Sequence, residues 1–306
     1  MKKISIIGAN GMLSVALTKY FYAQNSTEVI VYGLDVPKGY QCHQFHQVNL
    51  LKDIVDYGQL IQSDIIIYAS GAGVQAALKT DSSLMYALNV SVPIEITLQL
   101  KKHNYQGIYI SFGSYMEIGL NDEEGKAFTE EEVVCSPLPV TNDYALSKRL
   151  YGRYIRDFHA DFTCYHFILP NMFSEDDLRP GTRLVPYTLQ YLQDYKAGKN
   201  PAVPSFSAGM QTRQYITLEE MIETVSLSIE KRIPSGIYNI GGGEFLSIRQ
   251  LIERLFAIYN VPCKEEYFGK EVRRDGDIKS LRLDGSRLNN IILSQPSATI
   301  EMIFGF

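Results

Sequence analysis

Short apolar runs rich in β-branched residues punctuate the first half of the chain, and longer stretches of mixed polarity separate them. KISIIG (3–8) is the first, followed by a helix-like pattern from about Gly11 to Ala23. EVIVYGLD (28–35), QSDIIIYAS (62–70) and QGIYISFG (106–113) repeat it, and DFTCYHFIL (161–169) adds one more. Runs this short and this continuously apolar predict strands buried on both faces. TDSSLMYALNVSVPIEITLQLKKH (80–103) is long enough for a helix of several turns, with Asp81 or Ser82 as its N-cap. TNDYALSKRLYGRYI (141–155) reads as a further helix before the last run. Strands alternating with helices predict an α/β fold with a doubly wound parallel sheet, covered by helices on both faces.

After Pro170 the rhythm changes. NMFSEDDLRPGTR is polar and turn-rich, LVPYTLQYLQDYKAG reads as a helix ending at Gly198, and SIRQLIERLFAIY (247–259) opens on Ser247 and Gln250 at capping-box spacing. This divides the chain into a sheet domain over 1–169, which also receives parts of about 209–240, and a smaller, interleaved C-terminal lobe drawn mainly from 170–306.

A chain of 306 residues can bury a substantial core, and a net charge of -5 gives no reason to expect a nucleic acid or an anionic membrane surface as partner. The longest apolar run, near SDIIIYASGAGV, is too short to span a bilayer. MKKISIIGAN resembles a signal start only in its lysines, and its short apolar run ending in Gly8 is expected to be a strand. The four cysteines are widely separated and form no C-x-x-C pair, which argues against a disulfide framework or zinc site and fits a reducing cytoplasm. CHQFH (42–46) lacks a second ligand cluster and is expected to be a plain loop, so no metal is assigned. The acidic stretch NDEEGKAFTEEEV (121–133) reads as a solvated loop.

Chemistry enters at the first strand–helix junction. Gly8 and Gly11 in SIIGANGMLS suit a tight turn whose backbone can approach a pyrophosphate at the positive end of the following helix, a Rossmann-type arrangement. Asp35 ends the second run, where a carboxylate can accept hydrogen bonds from a ribose. No arginine follows to meet a 2′-phosphate, which favours NAD over NADP.

Tyr144 and Lys148 lie four apart in a predicted helix, on one face. A phenol can move a hydroxyl proton only if its pKa falls from about 10 towards neutrality, and a nearby ammonium favours that. Tyr195 and Lys199 repeat the spacing, but Lys199 follows Gly198, where the helix should have ended, and no hydroxyl-bearing strand precedes them. Before Tyr144 the run at 106–113 leads into Ser111 and Ser114, either of which could hold a substrate oxygen.

Together these residues carry a resemblance. GANGMLS resembles the G-x-x-G-x-x-G turn of the extended short-chain dehydrogenase/reductases, with Ser14 in the last glycine position, and YALSK matches their Y-x-x-x-K. DIIIYASG (64–71) and ALNVSVP (87–93) are similar to the family's cofactor-passing strand end and interface helix. LPNMFS (169–174), GMQTRQYITLEEMIETV (209–225), GIYNIGGGEFLSIRQLIERL (236–255) and RRDGDIKSLRLDGSRL (273–288) resemble segments of its nucleotide-sugar epimerase/dehydratase branch.

The resemblance implies Ser114, Tyr144 and Lys148 as the catalytic set, Ser114 being placed by alignment on Gly119. It implies an NAD site built from Gly8, Asn10, Gly11, Met12, Asp35, Asn49, Leu50, Ala69, Ser70, Gly71, Asn89, Tyr144, Lys148 and Pro170. It implies a nucleotide-diphosphate sugar held by Ser114, Asn171, Arg213 and Arg274, and a homodimer through the helices at 80–103 and 144–158, to which Leu84, Leu88, Leu150 and Ile155 could contribute. Asn49 stands where the family has an Asp, and Gln214 and Thr217 replace the Asp and His around Arg213. The implied activity is epimerisation through a transient 4-keto sugar, with reduction of a 4-keto sugar as the alternative and a non-catalytic dinucleotide sensor as the outlying one. A 4,6-dehydratase is disfavoured, because Tyr115 and Met116 follow Ser114 and Glu117 comes one position too late for the family's acid.

Overall fold

A computed structural model describes residues 1–73, 79–175, 183–271 and 278–305. In chain order its elements are β1 (Lys2–Ile7), α1 (Met12–Tyr22), β2 (Thr27–Gly33), β3 (Gln44–Gln47), α2 (Tyr57–Leu60), β4 (Ile65–Tyr68), α3 (Ser82–Tyr86), α4 (Val92–Lys102), β5 (Ile108–Ser114), α5 (Glu130–Val134), α6 (Asp143–Asp157) and β6 (Thr163–Leu169). These are followed by β7 (Asn171–Phe173), α7 (Leu184–Lys196), β8 (Thr212–Thr217), α8 (Leu218–Glu230), β9 (Gly236–Asn239), β10 (Glu244–Ser247), α9 (Ile248–Ile258), β11 (Ser280–Leu281), α10 (Ser286–Ile292) and α11 (Ile300–Phe304).

The apolar runs become the middle of a seven-stranded sheet in the order β3-β2-β1-β4-β5-β6-β9, with all its pairings parallel. Side chains alternate between its faces as the pleat requires. Ile4 and Ile6 face one way and pack with Leu17 and Phe21 of α1 and Met221 and Val225 of α8. Ile7 and Tyr109 face the other way and pack with Ile96 and Leu100 of α4 and Tyr151 and Ile155 of α6. The order reverses between β1 and β4, which opens a crevice at the carboxyl ends of these strands.

At Pro170 the chain leaves this sheet for a second one. There β8 is central, with β10 antiparallel on one side and β7 and β11 parallel on the other. Leu189 and Leu192 of α7, Leu251 and Leu255 of α9 and Phe304 of α11 make its core.

Three local readings change. The acidic stretch 121–133 is not a solvated loop: it runs into α5, which Thr129 caps, and Phe128 and Val133 turn into the core. The stretch 80–103 is not one uniform helix, because residues 87–91 form a π turn between α3 and α4. Pro93 has no N–H to offer the Asn89 carbonyl four residues back, and its ring crowds that carbonyl, so the helix widens there. Asp81 caps α3 through Ser83 N and Leu84 N. CHQFH is not a plain loop either. Gln44–Gln47 is an edge strand on β2, His43 Nδ1 accepts from Val29 N at 3.0 Å, and the His46 ring stacks on Tyr32. Among the described residues no His, Cys, Asp and Glu group has the makings of a metal site, and no helix is long and apolar enough to cross a membrane.

Candidate active site

The glycine turn sits at the open edge of β1. Gly8 has φ +123°, a conformation that L side chains avoid, and a β-carbon there would come within 3.0 Å of Ala69 C and Ser70 N. The turn therefore closes directly on the end of β4. Gly11 caps α1 without a side chain, and the buried Ser14 hydroxyl donates to Gly11 O at 2.9 Å, filling the position where the helix packs on the strand. Asn10 staples the turn to the segment after β2: its amide donates to Val36 O at 3.1 Å and accepts from Lys38 N at 3.0 Å. Asp35 lies exposed in that segment, and Met12 opens the first turn of α1. Asn49 and the half-buried Leu50 follow β3 on the same edge.

Ser114 ends β5, and Tyr144 and Lys148 stand one turn apart near the start of α6, which Asn142 caps through Ala145 N at 2.8 Å. The Ser114 hydroxyl is near enough to the Tyr144 phenol to favour its ionised form. Ser111 lies one turn of pleat deeper, sealed in the sheet with its hydroxyl on His166 Nδ1 at 2.9 Å, so only Ser114 reaches the edge. Lys148 Nζ donates to Phe112 O at 2.9 Å. Burial lowers the Lys148 pKa to about 8, against the opposing influence of Glu117. Tyr144 is not poised for ionisation by the protein alone: burial pushes its pKa up to about 12, Glu117 adds to the rise, and the Ser114 hydroxyl offsets only part of it.

Asn89 is 2% exposed at the centre of the π turn. Its side chain accepts from Ala72 N at 3.0 Å and donates to Ala72 O at 2.9 Å and to Ser147 Oγ at 3.0 Å. The widened turn thus clamps the loop after β4 onto the helix of Tyr144 and Lys148. A β-carbon on Gly71 would lie 3.0 Å from Asn89 Oδ1 and 3.9 Å from Lys148 Nζ. Asn89 therefore shapes the edge from behind.

Pro170 is buried at the crossing between the sheets, and Asn171 opens β7 opposite Tyr215 of β8. Arg213, on β8, is 2% exposed and donates to Thr212 O at 2.8 Å and Ile278 O at 3.0 Å. Arg274 lies outside the described residues. Gln214, in the place of the family's Asp, is buried and bonds Gly242 O and Leu283 N. The rival pair behaves as ordinary surface: α7 ends before Gly198, which has φ +71°, and Lys199 pairs with Asp194 at 2.7 Å.

The sequence profile of the NAD dependent epimerase/dehydratase family matches residues 4–241. The chain belongs to that family. No curated protein matches it in sequence. Among solved structures similar to this epimerase/dehydratase family member is the Bordetella bronchiseptica enzyme WbmG in complex with NAD and UDP, with 16% identity, coverage of 98% of this chain and 92% of that one, and a TM-score of 0.73. DesIV, a dTDP-glucose 4,6-dehydratase from Streptomyces venezuelae with NAD and TYD bound, gives 17% identity, coverage of 98% and 94%, and a TM-score of 0.75. RMD from Pseudomonas aeruginosa complexed with NADPH gives 18% identity, coverage of 99% and 96%, and a TM-score of 0.75. At these identities the likeness is one of fold.

Set against the family motif, two residues at this edge escape a reading by motif. Glu117 and His166 are fully buried directly behind Ser114 and Lys148. Arg149 spans the same region, donating to the carbonyls of Glu117, Ile118 and Leu138. The one signal in the sequence was the carboxylate close after Ser114, at a position that fits no acid of the family.

Proposed function

We propose that this protein is an NAD-dependent enzyme that modifies a nucleotide-diphosphate sugar, epimerising it through a transient 4-keto intermediate. The observation that carries this reading is the convergence of Ser114, Tyr144 and Lys148 at the carboxyl edge of the sheet, beside the glycine turn. A dinucleotide fits that edge. The missing side chain of Gly8 leaves backbone meeting backbone, and the exposed Gly11 leaves the N–H groups of α1 open to a pyrophosphate. Gly8, Asn10, Gly11 and Met12 would hold the pyrophosphate, Asp35 the adenosine ribose, and Asn49 and Leu50 the adenine. Ala69, Ser70, Gly71 and Pro170 would line the nicotinamide end, and Lys148 would bind its ribose. When bound, NAD supplies the hydride acceptor and a positive charge over the site.

The chain's own groups then handle the proton. Ser114 holds the reacting hydroxyl oxygen, and Tyr144 accepts its proton as general base and returns it in the second half of the cycle. With a phenol pKa near 12 in the protein alone, Tyr144 requires the added positive charge of the loaded site before it can act. Lys148 commits one N–H to Phe112 O, which leaves two donors for hydroxyl groups. Asn171, Arg213 and Arg274 would take the diphosphate, Arg213 by turning from the backbone carbonyls it holds, and the UDP bound by WbmG and the NAD bound by WbmG and DesIV support both ligand assignments. Glu117 speaks against elimination of water, since its carboxyl turns into the protein and accepts from Ser114 N instead of facing a sugar. A homodimer through α4 and α6 fits the exposure of Leu98 and Leu150, whereas Ile155 is spent on the core.

Two measurements test the reading together. Mass spectrometry of small molecules released from heat-denatured protein should find NAD⁺ or NADH. Tyr144→Phe should keep that cofactor and lose turnover of UDP-, GDP-, CDP- or dTDP-sugars supplied without a reductant. An empty protein that binds NADPH more tightly than NADH would instead mark a 4-keto-sugar reductase and overturn the role of Asp35. No affinity for either cofactor would overturn the enzyme.

A further inference from the structure

Behind Ser114 and Lys148 lies a polar cluster that the chemistry above does not use. Glu117 belongs to the single 3₁₀ turn (115–118) after β5, and its Oε1 accepts from Ser114 N at 2.7 Å. His166 stands mid-strand in β6, with Nδ1 on Ser111 Oγ at 2.9 Å. The remaining atoms, Glu117 Oε2 and His166 Nε2, are buried without a hydrogen-bond partner. Two glycines show that they converge. A β-carbon on Gly113 would lie 2.6 Å from Glu117 Oε1 and 2.8 Å from His166 Nε2. One on Gly152 of α6 would lie 2.9 Å from Glu117 Oε2 and 3.8 Å from His166 Nε2. Carboxyl and imidazole thus fill the side-chain space that β5 and α6 both leave vacant.

Packing alone does not call for this arrangement, since an apolar side chain would fill the space without the cost of burying an ionisable group. Nor does an ion pair fix the carboxyl. Arg149 gives its bonds to backbone carbonyls, and Lys148 gives its bond to Phe112 O. Burial lifts the Glu117 pKa to about 7, inside the working range of an enzyme, while burial and then Lys148 keep His166 neutral down to about 3. From α6 the cluster faces Tyr144, Lys148 and Arg149, whose charge is opposed by Arg153. Tyr151 of the same helix packs edge-on to the His166 ring, and β5 contributes Ser111 and Tyr109. From α5 Val134 approaches it, with Glu131 and Glu132 exposed and Glu130 holding Asn239 N. β11 adds the neutral Ser280 and Leu281.

We propose that Glu117, backed by a neutral His166, is a positioning residue whose protonation state sets the charge balance of Tyr144 and Lys148, and so the pH range in which the substrate proton moves. Ionised, Glu117 opposes loss of the Tyr144 proton and stabilises the Lys148 ammonium; protonated, it does neither. A neutral imidazole suits both states. The Ser111 hydroxyl can donate to or accept from Nδ1, so Nε2 can carry either a proton or a lone pair to suit the carboxyl's charge. This inference rests on the reading of Tyr144 and Lys148 as the catalytic pair.

Glu117→Gln tests it, because the amide keeps an acceptor for Ser114 N and the volume while losing the ionisation. The first readout needs no substrate: the Lys148 ammonium is followed by NMR in lysine-labelled protein, assigned with Lys148→Arg. In the native chain the Lys148 resonance should respond near pH 7 as Glu117 ionises, ahead of its own titration near 8. In Glu117→Gln the early response should vanish and the ammonium should be lost roughly one pH unit lower. A native resonance that is silent near pH 7 overturns the proposal even if the variant does not fold. The second readout is the pH profile of turnover. Native and variant rates should converge below pH 7, where the native carboxyl is protonated, and separate above it, the variant reaching its plateau at lower pH. An equal loss at every pH marks a merely structural role and overturns the proposal. Coupling seen in Lys148 with no turnover of any nucleotide sugar overturns the proposed function instead.

Discussion

Replacing Asn89 by Ala should expose how much of the site depends on the clamp behind it. The substitution removes two hydrogen bonds to Ala72 and one to Ser147. At about 1 kcal/mol net for each bond, the loss comes to about 3 kcal/mol. Two features keep it from rising further. Ala72 is only half-buried, so water can reach its freed N–H and carbonyl, and the Ser147 hydroxyl retains its bond to Tyr144 O at 2.8 Å. Urea denaturation should therefore show a stability loss of about 2–3 kcal/mol with an unchanged slope. A double-mutant cycle with Ser147→Ala should assign about 1 kcal/mol of it to the Asn89–Ser147 pair and the rest to the loop. Because the clamp orders the loop beside Lys148, cofactor binding would have to supply that ordering, and NAD affinity should fall by about tenfold or more. A loss below about 0.5 kcal/mol, or an unchanged affinity, would refute the clamp as the reason for the buried amide.

Gly8→Ala places a β-carbon against the Ala69–Ser70 backbone at positive φ, and should cost about 1–3 kcal/mol in thermal or urea unfolding and abolish NAD binding; a stable variant that still binds would refute the close approach. Tyr195→Phe and Lys199→Ala, at the rival pair, should leave turnover unchanged and stability within about 0.5 kcal/mol, and a loss of turnover would return Tyr195 to candidacy. Stability against pH separates His166 from Glu117. The folded His166 pKa is depressed from 6.5 to about 3, so its contribution is present above 6.5 and lost as pH falls towards 3. The folded Glu117 pKa is raised from 4.5 to about 7, so its contribution is present below 4.5 and lost as pH rises through 7. The two slopes oppose each other between 4.5 and 6.5, leaving their joint contribution in the native chain nearly flat there. Glu117→Gln should uncover the His166 slope, about 1.4 kcal/mol lost per pH unit of acidification, read as urea midpoints at stepped pH. Parallel curves for variant and native protein would refute the assignment.

What was legible in the sequence follows the range of the interactions concerned. Buried parallel strands need continuous apolar runs whatever their partners, so β1, β2, β4, β5 and β6 were readable one at a time. Capping boxes are equally local, as at Ser247 and Gln250. The edge strand β3 was missed because pairing on one side leaves its composition mixed: Gln44 and Gln47 are exposed and Phe45 and His46 are only partly buried. The π turn was hidden because its cause is a single proline against a carbonyl four residues earlier, inside an otherwise regular helical pattern.

The charge state of the site was the hardest part to read, because it depends on residues brought together only by the sheet. The spacing places an ammonium beside Tyr144, to act with the positive nicotinamide; in the folded chain without cofactor the ammonium turns to a carbonyl of β5 and burial raises the phenol. The carboxyl that adds to that rise comes from residue 117, and its imidazole neighbour from residue 166 on the adjacent strand. Neither departs from ordinary usage in its own segment. A trace of the pair survives as Gly113 and Gly152, two small residues on separate elements that make room for one polar cluster. Such paired vacancies acquire meaning only once the register of β5 on β6 and the position of α6 are known. On the proposed reading the motif names the groups that handle the proton, and the cluster behind it sets the pH at which they do so.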